Sequence, residues 1–185
     1  MSNDHGPGPG VYGARVDAYV LTMIGADRAG LVDALSEVVL EHGGMWERSQ
    51  MAELGGMFAG MVLVRVAPDR SQALLDGLEP LRERGLLDVT ARSASDDLDD
   101  DAPTVRLEVV GADRPGIVHE VSHAVASLGI GIVELATWTE SAAMAGSPLF
   151  RAEAVVRLPD GVTRADLTDA LEGLSDDLMV DFRDG

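Results

Sequence analysis

In the second half of the chain, apolar Val105, Leu107 and Val109 alternate with Thr104, Arg106 and Glu108. A period of two is that of a strand with one buried face. Pro115 and Gly116 then open a stretch in which Val118, Val121, Val125 and Leu128 recur at helical spacing, and Gly129 closes it. Two strand-like runs follow, at residues 130–139 and 149–158. Thr163 is placed to cap a second helix carrying Leu167, Leu171 and Leu174, and residues 178–183 read as a closing strand. The first half repeats this reading. Its strands are expected at 17–24, 45–54, 57–66 and 86–92, and its helices at 30–43 and 70–85.

The likeness extends to the letters. Gly25-Ala26-Asp27-Arg28-Ala29-Gly30 returns 86 positions later as Gly111-Ala112-Asp113-Arg114-Pro115-Gly116. Over residues 24–43 set against 110–129, nine of twenty positions are identical. A fixed period of this size means one folded unit used twice. Each unit has the order βαββαβ, the ferredoxin-like split βαβ motif of the α+β class. The expected sheet order is 4-1-3-2, antiparallel, with both helices on one face. The expected layout is a disordered Gly- and Pro-rich tail at 1–15, a first domain at 16–92, an acidic linker at 93–102 and a second domain at 103–185. Five Asp in the linker keep it solvated and extended. The second unit has about six extra residues around Ser141 to Ser147, an insertion a hairpin tolerates at little entropic cost.

The sheet faces turned away from the helices are expected to differ. In the first unit that face carries Ala18, Val20, Ala59, Met61 and Leu63; in the second it carries Thr104, Arg106, Arg151, Glu153 and Val155. Arg106 and Glu108 can pair across strands with Glu153 and Arg151. An apolar open face needs a cover, either the other unit or a second chain, so a homo-oligomer is expected. Units of about 80 residues bury only about 60% of their unfolded-chain surface, which also favours mutual support.

Composition narrows the chemistry. A net charge of −18, with 14 Arg and no Lys, argues against direct nucleic-acid binding and against anionic membrane surfaces. Absent Lys excludes a P-loop lysine, a Schiff base and a pyridoxal phosphate anchor. Absent Cys excludes disulfides, thiolate catalysis and Cys-type zinc sites. No apolar run approaches the ~20 residues that span a bilayer, and the first ten residues lack the apolar core of a signal peptide. The expected location is the cytoplasm, and no cofactor is implied.

The repeated loop lies between the first strand and first helix of each unit. Its glycines allow close backbone approach, and the helix start offers free N–H groups at the positive end of the dipole. Arg28 and Arg114 can each make a bidentate contact to a carboxylate. Asp27 and Asp113 can accept from an ammonium group, so the loop suits a zwitterion such as a free amino acid. The same residues also have an ordinary structural use: Asp can cap the turn, Pro115 can punctuate the helix start, and Gly25 or Gly111 can end a strand.

The Gly-Ala-Asp-Arg-Pro-Gly-Ile-Val segment set in βαββαβ resembles an ACT domain, the regulatory module of amino-acid metabolism. Two in tandem with no other domain resemble the glycine cleavage system transcriptional repressor family. The similarity covers residues 16–183 and includes Ile132-Val133-Glu134-Leu135 and Pro148-Leu149-Phe150. It implies amino-acid sites where this loop meets a neighbouring ACT unit. One would be lined by Asp27, Arg28, Ala29, Gly30 and Leu31, the other by Asp113, Arg114, Pro115, Gly116 and Ile117. Ala29 departs from the family's frequent Pro, which loosens the first loop and sets the two sites apart.

One further motif competes for attention. His119-Glu120-Val121-Ser122-His123 matches H-E-x-x-H, which on a helix presents two imidazoles and a general base to zinc. Here the two His point away from the expected core stripe, onto the outer helix face. The first unit has Asp33, Ala34 and Glu37 at the matching positions. Glu140 is a distant candidate for a third ligand, on the next strand or its loop. No metal site and no catalytic residue are therefore assigned. Trp46 and Trp138 are expected to pack in the core or at an interface.

The expected protein is a non-enzymatic regulator with two ACT-like domains that senses a small ligand, an amino acid. With no helix-turn-helix and no basic surface, any effect on transcription must pass through a protein partner such as a transcription regulator. Two alternatives stand beside this: a zinc hydrolase built on His119, Glu120 and His123, and a scaffold whose loops are empty.

Overall fold

The computed structural model describes residues 15–94, 103–141 and 148–183. Most of the expected tail and linker, and the hairpin insertion at 142–147, lie outside the described residues. Two compact units divide the chain, the first running to Leu98 and the second from Asp99.

The first unit contains β1 (Asp17–Ala26), α1 (Leu31–Glu41), β2 (Met45–Leu54), β3 (Met57–Val66), α2 (Ser71–Glu83) and β4 (Asp88–Ser93). The second contains β5 (Thr104–Ala112), α3 (Ile117–Ser127), β6 (Gly131–Glu140), β7 (Leu149–Arg157), α4 (Arg164–Glu172) and β8 (Met179–Arg183). The sheets run β2-β3-β1-β4 and β6-β7-β5-β8, with every pairing antiparallel. Read from the other edge, this is the expected 4-1-3-2. The chain is α+β, with two tandem ferredoxin-like units.

Period-two alternation supplies one wall of each core and helical periodicity the other. In the first unit Leu21, Met23, Val62, Val64 and Val66 meet Leu31, Leu35 and Val39 of α1 and Leu74, Leu78 and Leu81 of α2. In the second, Leu107, Val109, Phe150, Ala152, Ala154 and Val156 meet Ile117, Ala124 and Val125 of α3 and Leu167 and Leu171 of α4. Burying one such Leu fully contributes about 1.5–3 kcal/mol. Thr163 caps α4 as expected: it accepts from the Asp166 N–H at 3.2 Å, and the Asp166 carboxylate accepts from the Thr163 N–H at 2.8 Å.

The α3 stripe needs a correction. Val118 is exposed, and the buried positions are Ile117, Ala124 and Val125, with Val121 and Leu128 half-buried. Helical geometry explains this. Counted from Ile117, the offsets 4, 7, 8 and 11 define one face, and Val118 falls beside it.

Both edge strands carry the same irregularity. The β2–β3 register shifts between Trp46 and Arg48, and the β6–β7 register shifts between Ile132 and Glu134. These are one-residue bulges at Glu47 and Val133.

The outer sheet faces differ as expected. Ile24 and Met61 in the first unit are each 48% exposed, beside half-buried Val20, Ala59 and Leu63. The second unit carries an ion-pair network on that face. Arg151 donates to Glu108 and to Glu140, each at 2.6 Å, and Arg183 bridges Glu108 and Glu153. The expected Arg151–Glu108 pair forms. Glu153, however, pairs with Arg183 at 3.2 Å rather than with Arg106, because Arg106 stands opposite Val155 and Glu153 opposite Glu108. Burial raises the Glu108 pKa, but hydrogen bonds and charge from Arg183 and Arg151 outweigh it and leave the group below its ordinary value.

Candidate functional site

The repeated loop is held at both ends by the backbone. Asp27 N–H donates to the Gly56 carbonyl and Asp113 N–H to the Pro148 carbonyl, each at 2.9 Å. Gly30 and Gly116 then form the N-caps of α1 and α3 with φ of 93° and 90°, left-handed backbone that favours glycine. Neither cap supplies a side-chain acceptor. Apart from the Ile117 N–H, which donates to the Arg114 carbonyl at 3.3 Å, the amides of the first helical turn are offered no acceptor by a cap side chain. By contrast, α4 begins with a complete capping box.

Gly25 and Gly111 do not end their strands, which run on to Ala26 and Ala112. Gly25 is there for space. A Cβ on it would stand 2.4 Å from the Leu86 carbonyl oxygen, whereas one on Gly111 would find its nearest neighbour at 3.6 Å.

In the second unit the loop borders a cleft of about 400 Å³. Asp113, Arg114, Gly116 and Ile117 form one side, and Thr137, Trp138 and Thr139 of β6 the other, with Val118 and Phe150 between them. Pro115 is exposed at the helix start, and Ile117 mainly fills the core at 4% exposure. Trp138 is not in the core: it is 39% exposed and walls the cleft.

The first unit arranges the matching residues differently. Asp27, Arg28, Ala29 and Gly30 are exposed, and Leu31 is buried in the core. The cleft beside α1 is lined by Asp33, Ser36, Glu37, Leu40, Gly44 and Trp46, with Val39, and includes none of residues 27–31. Where β6 has Thr137, Trp138 and Thr139, β2 has Met51, Ala52 and Glu53.

The two arginines also diverge. Arg114 Nη1 donates to Glu120 Oε1 at 2.8 Å, and Nη2 lies against Oε2, a two-pronged pair within the second unit. The hydrogen bond to Glu120 raises Arg114, and the same bond lowers Glu120. Asp177, whose carboxylate accepts from the Ala112 N–H at 3.1 Å, adds a further negative charge near Arg114. Ala34 stands at the position matching Glu120, and Arg28 donates to the Gly85 carbonyl.

The H-E-x-x-H segment lies on α3 with both His exposed. The two imidazoles stack, 6.1 Å apart and 24° from parallel. Glu120 holds Arg114, and Glu140 holds Arg151. A base whose two oxygens are engaged by a guanidinium is poorly placed to accept a proton from water. Among the described residues, no group of three His, Asp or Glu stands close enough together to hold a metal ion.

Two site features escaped the reading of the sequence: the Trp138 wall and the role of Glu120. A signal for both was present, because Ala52 and Ala34 occupy the matching positions of the first unit.

Comparison with known proteins gives a consistent picture. The ACT domain family model matches residues 18–91. The fold matches a crystal structure of an unknown protein from Galdieria sulphuraria at 32% identity and a TM-score of 0.78, covering 91% of this chain and 98% of that one. It also matches a candidate glycine cleavage system transcriptional repressor at 23% identity and a TM-score of 0.69, covering 92% and 99%. At that identity the second likeness speaks for the fold alone. No curated protein matches the chain. Among the described residues no helix is long and apolar enough to cross a membrane. With an ACT model on the first unit, the same topology and loop in the second, and a relative matched across nearly its whole length, the chain belongs to the ACT-domain family as a tandem-unit protein.

Proposed function

We propose that this protein is a cytoplasmic, non-enzymatic sensor of a free amino acid, and that the second unit's cleft is its principal site. One observation carries the reading. An uncapped helix start, Asp113 and Arg114 converge on a cleft of about 400 Å³ walled by Trp138. That volume falls within the roughly 300–1,000 Å³ of small-molecule pockets. The helix amides and Arg114 suit a carboxylate, Asp113 an ammonium group, and Trp138 the ligand's side chain. The first loop, Asp27 to Leu31, is a second and unequal site. The modules are taken as residues 16–92 and 103–185.

Ligand binding shifts the balance between two arrangements only by its difference in affinity for them. A net charge of −18 leaves a protein partner, such as a transcription regulator, as the route to any effect on transcription, with glycine cleavage as the first system to test. The exposed Met61 face of the first unit supports a homo-oligomer. Met61→Glu is expected to reduce oligomer size with folding retained; unchanged size by light scattering refutes that contact.

The decisive test is thermal shift against the amino acids, followed by calorimetry. A ligand at a hundred times Kd stabilises by about 2.7 kcal/mol. The stabilisation is expected to disappear in Asp113→Ala and Arg114→Ala. A protein that no amino acid stabilises is not this sensor.

A further inference from the structure

Resting on that reading of the second cleft, we infer that Glu120 is a resident competitor for Arg114, so a ligand carboxylate takes the Nη1–Nη2 edge only by displacing it. Arg114 lines the cleft, yet its guanidinium already holds both oxygens of Glu120. Glu120 fills the Nη1–Nη2 edge of the guanidinium, and a carboxylate arriving at the remaining Nε side meets a cation that Glu120 has already neutralised. Glu120 is tethered only six residues away, so it competes at the high effective concentration of an intramolecular group. Both side chains are about one-third exposed, 34% for Arg114 and 38% for Glu120, which leaves room for exchange rather than a sealed pair.

The first unit lacks this device. Ala34 stands at the matching position, and Arg28 rests on the neutral Gly85 carbonyl, a weaker hold than a carboxylate. Glu120 thus acts as a specificity residue. It lowers the affinity of the second site for simple carboxylates and favours ligands that recover the loss through their ammonium group on Asp113 and their side chain on Trp138.

Trp138 provides a local readout. The chain has two Trp, and Trp46→Phe leaves Trp138 alone to report on the second cleft. In that background, glycine, L-serine and L-leucine are titrated beside their amino alcohols, which lack the carboxylate. Glu120→Gln keeps the shape of the side chain and removes its charge. It is expected to tighten amino-acid binding about tenfold and to leave the amino alcohols unchanged. Adding Arg114→Gln is expected to erase the gain. Binding by the parent protein with no gain in Glu120→Gln overturns the competition and leaves the site standing. An equal gain for amino alcohols, or a gain that survives Arg114→Gln, also overturns it. Failure of these three and of every other amino acid to bind either protein, checked by calorimetry, overturns the competition and the sensor reading together.

Discussion

The two units share element order, sheet order and a glycine at the first helix start, and they part company in the side chains laid over that frame. In the first, Arg28 rests on a carbonyl and the outer sheet face carries exposed Ile24 and Met61 at its centre. In the second, Arg114 holds a carboxylate and the outer face is a network of Arg and Glu. Backbone demands were kept in both copies, while charge and surface chemistry were free to change. One frame therefore carries two chemically different surfaces.

The comparison breaks most forcefully at the strand glycines. Gly25→Ala is expected to cost the first unit about 1–3 kcal/mol or more, since its Cβ would stand 2.4 Å from a carbonyl oxygen. Gly111→Ala, with its nearest neighbour at 3.6 Å, is expected to be tolerated. Equal losses in chemical denaturation would refute the difference. The helix-start glycines are the matched control. Gly30→Ala and Gly116→Ala are each expected to cost about 1–2 kcal/mol, from backbone strain rather than crowding. Unequal costs would show that the loops are not equivalent.

Acid should act on the second unit through its paired carboxylates. Glu108 and Glu120 are held below their ordinary 4.5, and Asp166 and Asp177 below their ordinary 3.8. A lowered folded-state value gives stability that is complete above the unfolded value and lost as pH falls through the folded one. The loss therefore begins below about pH 4.5 and continues past 3.8. Glu108→Gln is expected to narrow this acid-dependent change, read by Trp138 fluorescence in Trp46→Phe; an unchanged profile counts against the network. The smallest effect is expected from Ala34→Glu, which offers Arg28 the carboxylate that Arg114 has. A melting shift of at most a few degrees is expected, as for exposed ion pairs, with weaker carboxylate binding at the first loop by calorimetry.

Much of this was legible in the chain. Alternation at Val105, Leu107 and Val109, helical spacing through Leu167 and Leu171, and the 86-residue repeat were enough for the elements and the sheet order. The loop was visible because glycine and charge recur there together. Val118 was misplaced because an apolar residue beside a helical stripe looks the same in sequence as one within it. Glu120 drew attention as a zinc-site base, whereas its partner is set by a side-chain conformation reaching back across the helix start. Trp138 was obscured by the bulge at Val133. A one-residue insertion breaks simple alternation, so counting along β6 does not reveal which residues share a face.

That bulge also records an order of events. It falls at Glu47 in one copy and Val133 in the other, with the same 86-residue offset as the loop. A defect found twice at one place needs only one origin when it precedes the copying. A single unit with a bent edge strand and an Asp-Arg loop accounts for both copies with one origin for each feature. At Glu120, Trp138 and the charged sheet face the two copies differ, so one copy or the other has changed there since they separated.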